Sequence, residues 1–208
     1  MKKQRAFLKW AGGKYGLVED IQRHLPPARK LVEPFVGAGS VFLNTDYDHY
    51  LLADINPDLI NLYNLLKERP EEYISEAKRW FVAENNRKEA YLSIRAEFNK
   101  TDDVMYRSLA FLYMNRFGFN GLCRYNKKVA STCRLALTEN LISQRRNWSF
   151  LLRKPKKLRL CAKVILKHFV VRARAALCIA IHLMRHFQTR QTSLHTQVMV
   201  SRWTTKRH

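Results

Sequence analysis

The chain has 208 residues, and its 38 Lys and Arg against 17 Asp and Glu give a formal net charge of +21. This excess favours polyanionic partners, because Lys and Arg gain by neutralising closely spaced phosphates. The longest apolar stretch, residues 158–184, is broken by five cations, and the apolar run after the N-terminal basic residues is too short for a signal peptide. We therefore expect a cytoplasmic chain without a membrane span and with reduced cysteines.

The first predicted elements are a helix, a short strand and a glycine turn. A helix-like run over residues 17–25 stops before two prolines, and the apolar run over residues 31–36 is typical of a short buried strand. Gly37 and Gly39 follow this run and lead into an apolar helix start at residues 41–43. The order is therefore strand, glycine loop, helix.

A second strand and a long helical region come next. Residues 50–55 predict a strand that carries Asp54 near its end, and Asn56 and Pro57 suit the cap and first position of a following helix. Apolar residues then recur at helical spacing over residues 58–112. The region predicts several helices without an intervening strand.

Residues 115–126 read NRFGFNGLCRYN and break the helical periodicity with aromatic, glycine, amide and arginine residues. They predict a binding loop. Soon afterwards, near Lys128, the composition changes: residues 1–128 hold 21 basic and 16 acidic residues, whereas residues 129–208 hold 17 basic residues and a single acidic one, Glu139. The last 80 residues also contain no Gly, Asp or Tyr. We interpret the chain as two compositions joined near this point.

The glycine loop and Asp54 suggest a ligand site. A glycine turn after a strand lets the backbone approach a ligand, and a carboxylate at the end of the next strand can accept hydrogen bonds from ribose hydroxyls. This spacing suits many nucleotide and S-adenosylmethionine sites. Taken alone, it is equally consistent with an ordinary strand-to-helix turn followed by a surface aspartate.

Three motifs and the loop together resemble the DNA adenine-N6 methyltransferases of the Dam type. The motifs read FLKWAGGK at 7–14, VEPFVGAGSVF at 32–42 and ADIN at 53–56, and the segment at 115–126 is similar to the target-recognition segment of that family. The likeness is almost continuous over residues 1–128. It implies an enzyme that uses S-adenosylmethionine to methylate adenine N6 at GATC in double-stranded DNA, and we expect a monomer.

The resemblance also implies roles for individual residues. Seven residues would hold S-adenosylmethionine: Trp10, Lys14, Glu33, Phe35, Gly37, Gly39 and Asp54. Among them, Trp10 would offer a ring face, Lys14 a charge for the methionine carboxylate, and Asp54 a carboxylate for the ribose. Six residues would face DNA: Lys9, Arg116, Phe119, Asn120, Leu122 and Arg124. Arg124 would donate two hydrogen bonds to a guanine edge, and Phe119 would insert into the base stack. Taken singly, each of these cations would be interpreted as a solvated surface group, and Phe117 and Phe119 as ordinary core residues. Their occurrence together, in the order found in the family, favours the DNA-binding interpretation.

The catalytic tetrapeptide of this family, Asp-Pro-Pro-Tyr, does not occur in the sequence. In the family, its carboxylate and a neighbouring carbonyl accept hydrogen bonds from the adenine amino group, and its aromatic ring stacks on the flipped base. Here the only proline after position 70 is Pro155, and no Asp follows Asp103. We therefore assign no catalytic residue and expect this chain not to transfer methyl groups.

A shift of reading frame accounts for the missing motif. Plausible codons for residues 177–186, read from the third base of the first codon, spell Val-Tyr-Cys-Asp-Pro-Pro-Tyr-Ala-Pro. The same offset permits Gly-Glu-His-Val-Pro-Phe-Gly over residues 129–136 and Lys-Pro-Tyr-Phe over residues 139–143, both similar to the segments that come after the recognition loop in this family. Our hypothesis is that residues from about 129 are a frameshift product, which resequencing the gene tests directly.

The tail permits other interpretations. Cys178, His182 and His186 have the spacing of one helix face and suggest a metal site, but an accidental frame also accounts for them, and we predict no metal. The basic run at residues 153–157 could bind nucleic acid by charge alone, or it could be a product of the same accidental frame without a function. A genuine replacement domain is disfavoured, because turns and helix caps would lack Gly and Asp.

The predicted fold class is α/β: an incomplete methyltransferase fold of the Rossmann-like type with an inserted helical DNA-recognition domain. We place the cofactor-binding part at residues 1–57, the recognition domain at 58–128 and an aberrant basic tail at 129–208. With two strands recognisable, we expect a partly ordered N-terminal part and a poorly packed tail. The predicted function is DNA adenine methyltransferase by family; the alternative is a non-enzymatic, basic nucleic-acid-binding protein.

Overall fold

The computed structural model describes residues 3–126, 130–136 and 158–161. Within these residues the chain forms three strands and six α-helices. The strands are β1 (Lys30–Glu33), β2 (His49–Ala53) and β3 (Leu158–Cys161). The helices are α1 (Val18–His24), α2 (Ser40–Asn44), α3 (Pro57–Glu68), α4 (Pro70–Trp80), α5 (Lys88–Phe98) and α6 (Val104–Phe117), with short 3-10 turns at Lys14–Leu17, Ala83–Asn85 and Phe119–Gly121.

The strands form a small parallel sheet with β2 in the centre. Glu33 of β1 pairs with Leu52 of β2, and Leu52 pairs on its other side with Leu160 of β3. Since parallel strands end at the same edge of a sheet, Glu33 and the residue that follows β2, Asp54, lie at one edge. The β1-α2-β2 unit therefore places the glycine loop beside Asp54.

The two predicted strands are confirmed with shorter C-terminal ends. Strand β1 ends at Glu33, because the chain turns at Pro34 into the glycine loop, and β2 ends at Ala53, so that Asp54 and Ile55 follow it. The sequence analysis recognised no further strand, and β3 corrects that expectation. The strand has four residues and lies in the part of the chain after residue 128, which the composition predicts to be an aberrant tail.

The long helical region is confirmed as four helices, α3 to α6. Asn56 caps α3 as predicted, because its side chain accepts hydrogen bonds from the N–H groups of Asp58 and Leu59 at 3.0 and 3.2 Å, and Pro57 is the first helical residue. Asp103 caps α6 in the same way by accepting from the Tyr106 N–H.

Helix α6 lies at the centre of the helical part and packs against α3, α4 and α5. Its buried residues surround the helix on all sides, which explains why the sequence shows no single apolar face. Tyr113 and Phe117 anchor an aromatic cluster, with ring centroids 4.5 Å apart. The Tyr73 hydroxyl of α4 donates to the Ser108 carbonyl of α6 at 2.9 Å, which ties these two helices together.

Residues 130–136 pair with the loop at residues 117–126, so the prediction of poor packing after residue 128 is wrong for this stretch. Ser131 and Cys133 are each only 5% exposed. The pairing uses peptide groups, which every residue supplies, together with the Cys133 thiol, which donates to the Leu122 carbonyl at 3.0 Å. The backbone hydrogen bonds run from Phe119 N to Arg134 O (2.8 Å), from Thr132 N to Arg124 O (2.9 Å) and from Ala136 N to Phe117 O (2.8 Å).

Several predictions fall on other parts of the tail. The set Cys178, His182 and His186 and the basic run at residues 153–157 lie outside the described residues. In the part of the chain that the structure describes, none of the helices combines the length and the apolar character that a membrane span requires. The boundaries at residues 57 and 128 stay predictions.

Candidate functional site

The glycine loop after β1 is held in shape by backbone hydrogen bonds. Val36 N–H donates to the Ala53 carbonyl at 2.9 Å, and Gly39 N–H donates back to the Val36 carbonyl at 2.8 Å. Gly37 and Gly39 have φ angles of +50° and +74°, in the left-handed region that side chains disfavour. The two glycines are therefore required by the shape of the turn.

Asp54 connects this loop to the end of β2. One carboxylate oxygen, Oδ2, accepts from the Gly37 N–H at 3.0 Å, and the other, Oδ1, accepts from the Asn56 N–H at 3.0 Å. The residue is 8% exposed. Asp54 thus has a structural task that the sequence analysis did not anticipate, and each oxygen retains a lone pair for a further donor. Its ribose-binding role stays a prediction.

Aromatic side chains enclose the glycine loop on two sides. A Cβ atom added at Gly37 would lie 2.8 Å from Cδ1 and Nε1 of Trp10, and one added at Gly39 would lie 3.1 Å from the Tyr63 hydroxyl. That hydroxyl donates to the Gly37 carbonyl at 2.9 Å, and burial holds the pKa of Tyr63 well above its usual range, so it remains a donor. The sequence analysis missed Tyr63, which lies 26 residues along the chain.

Lys14 reaches across to β1 and the glycine loop. Its Nζ lies 3.1 Å from Glu33 Oε1 and also donates to the Phe35 carbonyl. Burial raises the pKa of Glu33, against the opposing effect of the Lys14 charge. No described N–H or O–H donates to Glu33 Oε2 with hydrogen-bond geometry. The Phe42 N–H nevertheless favours the ionised Glu33 carboxylate and so partly opposes the rise of its pKa. A buried carboxylate oxygen therefore remains unsatisfied beside the loop.

The seven residues predicted to hold the cofactor are thus brought together at one edge of the sheet. Contacts join Trp10 to Gly37, Gly37 to Asp54, and Lys14 to Glu33. Beside Asp54 the side chain of Ile55 is 63% exposed, although it is a large apolar group. The sequence analysis did not single out Ile55, because an apolar residue at the end of a strand predicts burial.

Lys9 and Arg116 join the N-terminal segment to the end of α6. Lys9 Nζ donates to the Arg116 carbonyl at 3.2 Å, and Arg116 Nη1 donates to the Phe7 carbonyl at 2.9 Å. Burial lowers the pKa of both residues, and the Arg116 charge lowers that of Lys9 further. These two predicted DNA contacts are therefore partly occupied by the fold itself.

The loop at residues 117–126 projects three of the predicted DNA contacts outward. Phe119 is 56% exposed, and Asn120 and Arg124 are also exposed, whereas Leu122 is half-buried. Asn120 has a φ of +53°, and a Cβ atom at Gly121 would lie 2.2 Å from Lys9 Cβ. The loop is thus bent tightly against the N-terminal segment, which presents its aromatic, amide and guanidinium groups together.

Asn115, which the sequence analysis included in the loop without a separate role, holds the two segments together. Its Nδ2 donates to the carbonyls of Lys9 (2.7 Å) and Gly121 (3.0 Å), and its Oδ1 accepts from the Lys9 N–H at 3.0 Å. The residue is 1% exposed. The loop at residues 117–126 and the segment at residues 7–14 are therefore one connected structure.

A second connection, also not predicted, runs through Asp58 in the first turn of α3. Its carboxylate is 4% exposed and lies 3.0 Å from Nη2 of Arg107, and its Oδ2 accepts from the Tyr125 hydroxyl at 2.8 Å. Arg107 also donates to the carbonyls of Phe98 and Thr101 at 2.9 and 3.0 Å. Sequence reasoning could not find this cluster, because its members lie 49 and 67 residues apart.

The features of the glycine loop and its neighbouring strands define a class of protein. A parallel strand, a glycine turn and an acid at the end of the neighbouring strand are typical of domains that bind nucleotide-like ligands. A family model for the D12 class N6 adenine-specific DNA methyltransferases matches residues 10–147. This match covers more than half of the chain, which therefore belongs to that family. The resemblance predicted from the motifs is confirmed.

Curated relatives agree with the family. The chain is 84% identical over 128 residues to a DNA adenine methylase of Vibrio cholerae serotype O1, which covers 62% of this chain and 46% of that protein. It is 64% identical over 126 residues to a DNA adenine methylase of Escherichia coli strain K12, covering 61% of this chain and 45% of the relative. A DNA adenine methylase of Serratia marcescens is 60% identical over 126 residues, covering 61% and 47%. The chain thus spans about half the length of these relatives.

Proposed function

We propose that this chain is the methyl-donor-binding and DNA-recognition part of a DNA adenine-N6 methyltransferase. It binds S-adenosylmethionine in an incomplete Rossmann-like domain and recognises GATC in double-stranded DNA. We further propose that it acts as a cytoplasmic monomer. The observation that supports this best is the connected glycine loop, in which Gly37 and Gly39 adopt left-handed backbone conformations and Asp54 holds the loop at the strand edge.

The chain's own residues fit the methyl donor, a sulfonium that supplies an activated methyl group. Lys14 uses two of its three N–H donors on Glu33 and Phe35, which leaves the third for a methionine carboxylate. The donor's cationic amine suits the unsatisfied Glu33 Oε2. The exposed face of Ile55 offers an apolar surface for a flat purine ring next to Asp54.

DNA recognition is proposed for the exposed groups of the loop. Arg124 can donate two parallel hydrogen bonds to guanine O6 and N7, and Phe119 is exposed enough to enter the base stack. Asn120, Leu122, Lys9 and Arg116 would line the remaining surface. The contacts that bend the loop fix these groups in advance, which lowers the entropy lost on binding.

Two titrations test these assignments. Calorimetry should show S-adenosylmethionine binding that Asp54→Ala weakens by at least about tenfold, or about 1.4 kcal/mol. Fluorescence anisotropy should show tighter binding to a duplex with one GATC site than to a duplex in which the site is GTAC, and Arg124→Ala should reduce that difference. Equal affinities for both duplexes, together with no heat from the methyl donor, would exclude the proposal.

Methyl transfer itself should be absent from this chain, because nothing in its sequence corresponds to the tetrapeptide that holds the flipped adenine. The decisive experiment uses a variant gene in which one nucleotide is inserted after the codon for residue 128, so that the downstream codons are read in the other frame. That protein should methylate GATC DNA and lose the activity on Asp54→Ala, whereas the present chain should show none. Methylation by the present chain would overturn this part of the proposal.

A second candidate function is favoured by the net charge of +21. A basic protein without a catalytic site would bind DNA through phosphates, with an affinity that falls steeply with salt and does not depend on sequence. The same anisotropy experiment separates the two functions. Salt-sensitive binding without a preference for GATC would favour this second candidate.

A further inference from the structure

Near its far end the recognition loop is attached to helix α3 by the side chain of Tyr125. Tyr125 donates its hydroxyl to Asp58 Oδ2 at 2.8 Å, and Asp58 is 3% exposed in the first turn of α3. Burial and the Asp58 charge raise the pKa of Tyr125, so the phenol keeps its proton and remains a donor. The attachment thus joins a loop residue to a helix more than sixty residues earlier in the chain.

Tyr125 directly follows Arg124, and the two side chains point in opposite directions. Tyr125 forms an antiparallel bridge with Ser131, so that this part of the loop is extended. In extended chains successive side chains point to opposite sides, and here Tyr125 points inward while Arg124 is exposed. The position of the Tyr125 ring therefore determines the position of the neighbouring Arg124 backbone, from which the guanidinium side chain extends.

Asp58 is itself held rigidly. Arg107 Nη2 lies 3.0 Å from its carboxylate, and Arg107 is fixed by the carbonyls of Phe98 and Thr101 and by its position 4.4 Å from the Phe98 ring centroid. The carboxylate thus remains paired when the Tyr125 hydroxyl is removed. This arrangement separates the attachment of the loop from the stability of the helices.

We propose that Tyr125 and Asp58 are positioning residues for base recognition: the bond between the phenol and the carboxylate sets the register in which Arg124 meets a guanine edge. The inference rests on the proposed function, because it presumes that the loop reads GATC. Asp58 lies four residues after Asp54, so one short segment holds the glycine loop at one end and the recognition loop at the other. Recognition is then built on the same rigid segment as the donor site.

The test compares two variants that each lose one buried hydroxyl. Tyr125→Phe removes the bond to Asp58, and Tyr73→Phe removes a bond of 2.9 Å to the Ser108 carbonyl in the helical core, which involves neither Tyr125 nor Asp58. The full chain carrying each variant is titrated with the GATC and GTAC duplexes at the same salt concentration. Calorimetry with S-adenosylmethionine and circular dichroism accompany each titration.

We expect Tyr125→Phe to lower the preference for GATC by about five- to tenfold, which corresponds to about 1.0–1.4 kcal/mol, with donor affinity within about twofold of the unaltered chain. Tyr73→Phe should lower thermal stability yet leave the preference unchanged. An unchanged preference in Tyr125→Phe would overturn the inference, as would a failure of that variant to fold, since the hydroxyl would then support the whole fold. Equal binding of both duplexes by the unaltered chain would instead overturn the proposed recognition of GATC, and this inference with it.

Discussion

Replacing Gly37 by alanine tests the glycine loop most directly. Gly37 has a φ of +50°, and its added Cβ would lie 2.8 Å from two atoms of the Trp10 indole. Two separate costs therefore arise, one from the backbone conformation and one from displacing the ring. Both act on the part of the loop that the methyl donor is proposed to contact.

The size of the effect is the sum of these two costs. A left-handed conformation costs alanine about 1 kcal/mol relative to glycine, and an overpacked contact costs about 1–3 kcal/mol. We therefore expect Gly37→Ala to lower the free energy of unfolding by about 2–4 kcal/mol and to weaken S-adenosylmethionine binding by at least about tenfold. Urea unfolding followed by tryptophan fluorescence and calorimetric titration measure the two quantities.

Two other glycines serve as controls. Gly12 has a φ of +69° but nothing within 4 Å of an added Cβ, so Gly12→Ala should show the backbone cost alone. Gly16 has neither a positive φ nor a close neighbour, and Gly16→Ala should leave stability unchanged or slightly higher. If Gly37→Ala behaved like Gly12→Ala, the contact with Trp10 would have no energetic weight and the reasoning would be refuted.

Further predictions concern the ion pair, the buried amide and the pairing after the loop. Because the pKa of Glu33 is raised, the native state holds its proton more tightly than the unfolded chain, so stability should fall as pH rises from the usual value of 4.5. Lys14→Met should deepen that fall and lower stability at pH 7 by about 2 kcal/mol; equal pH profiles in urea unfolding would contradict this. Asn115→Ala removes three hydrogen bonds to Lys9 and the loop and should cost about 3 kcal/mol, whereas a loss below about 1 kcal/mol would show that these bonds carry little. The Thr132 N–H donates to the Arg124 carbonyl and should exchange with deuterium much more slowly than the amide of an unstructured peptide. Exchange at the unprotected rate would rule out the pairing.

Local sequence signals predicted the elements that depend on neighbouring residues. The cap at Asn56 and the first-turn position of Pro57 follow from side-chain and backbone chemistry within a few positions, and both are found. Gly37 and Gly39 were predicted to allow close approach, and their φ angles show why only glycine suits them. Motif spacing also placed Asp54 close to the end of the second strand, although β2 stops at Ala53 and Asp54 is the residue that follows it.

Long-range contacts were beyond the same signals. Nothing local indicates that Asp58 would meet Arg107 and Tyr125, because each residue alone is consistent with a solvated surface group. Tyr63 looked like ordinary helix core, whereas its hydroxyl supports the Gly37 carbonyl. The strand β3 was missed for another reason, since composition marked its whole region as aberrant.

Residues 130–136 are held to the loop and to α5 by main-chain hydrogen bonds and by the buried thiol of Cys133, which accepts from the Arg124 N–H at 3.3 Å and donates to the Leu122 carbonyl at 3.0 Å. Asn99 bonds the peptide groups of Ser131, and Arg95 donates to the carbonyl of Cys133, in addition to the backbone pairs with the loop. Peptide groups are common to nearly every residue type, proline excepted as a donor. The segment that follows the loop can therefore vary at most of its positions and still hold the loop, provided that residues 131 and 133 stay small enough for their buried sites.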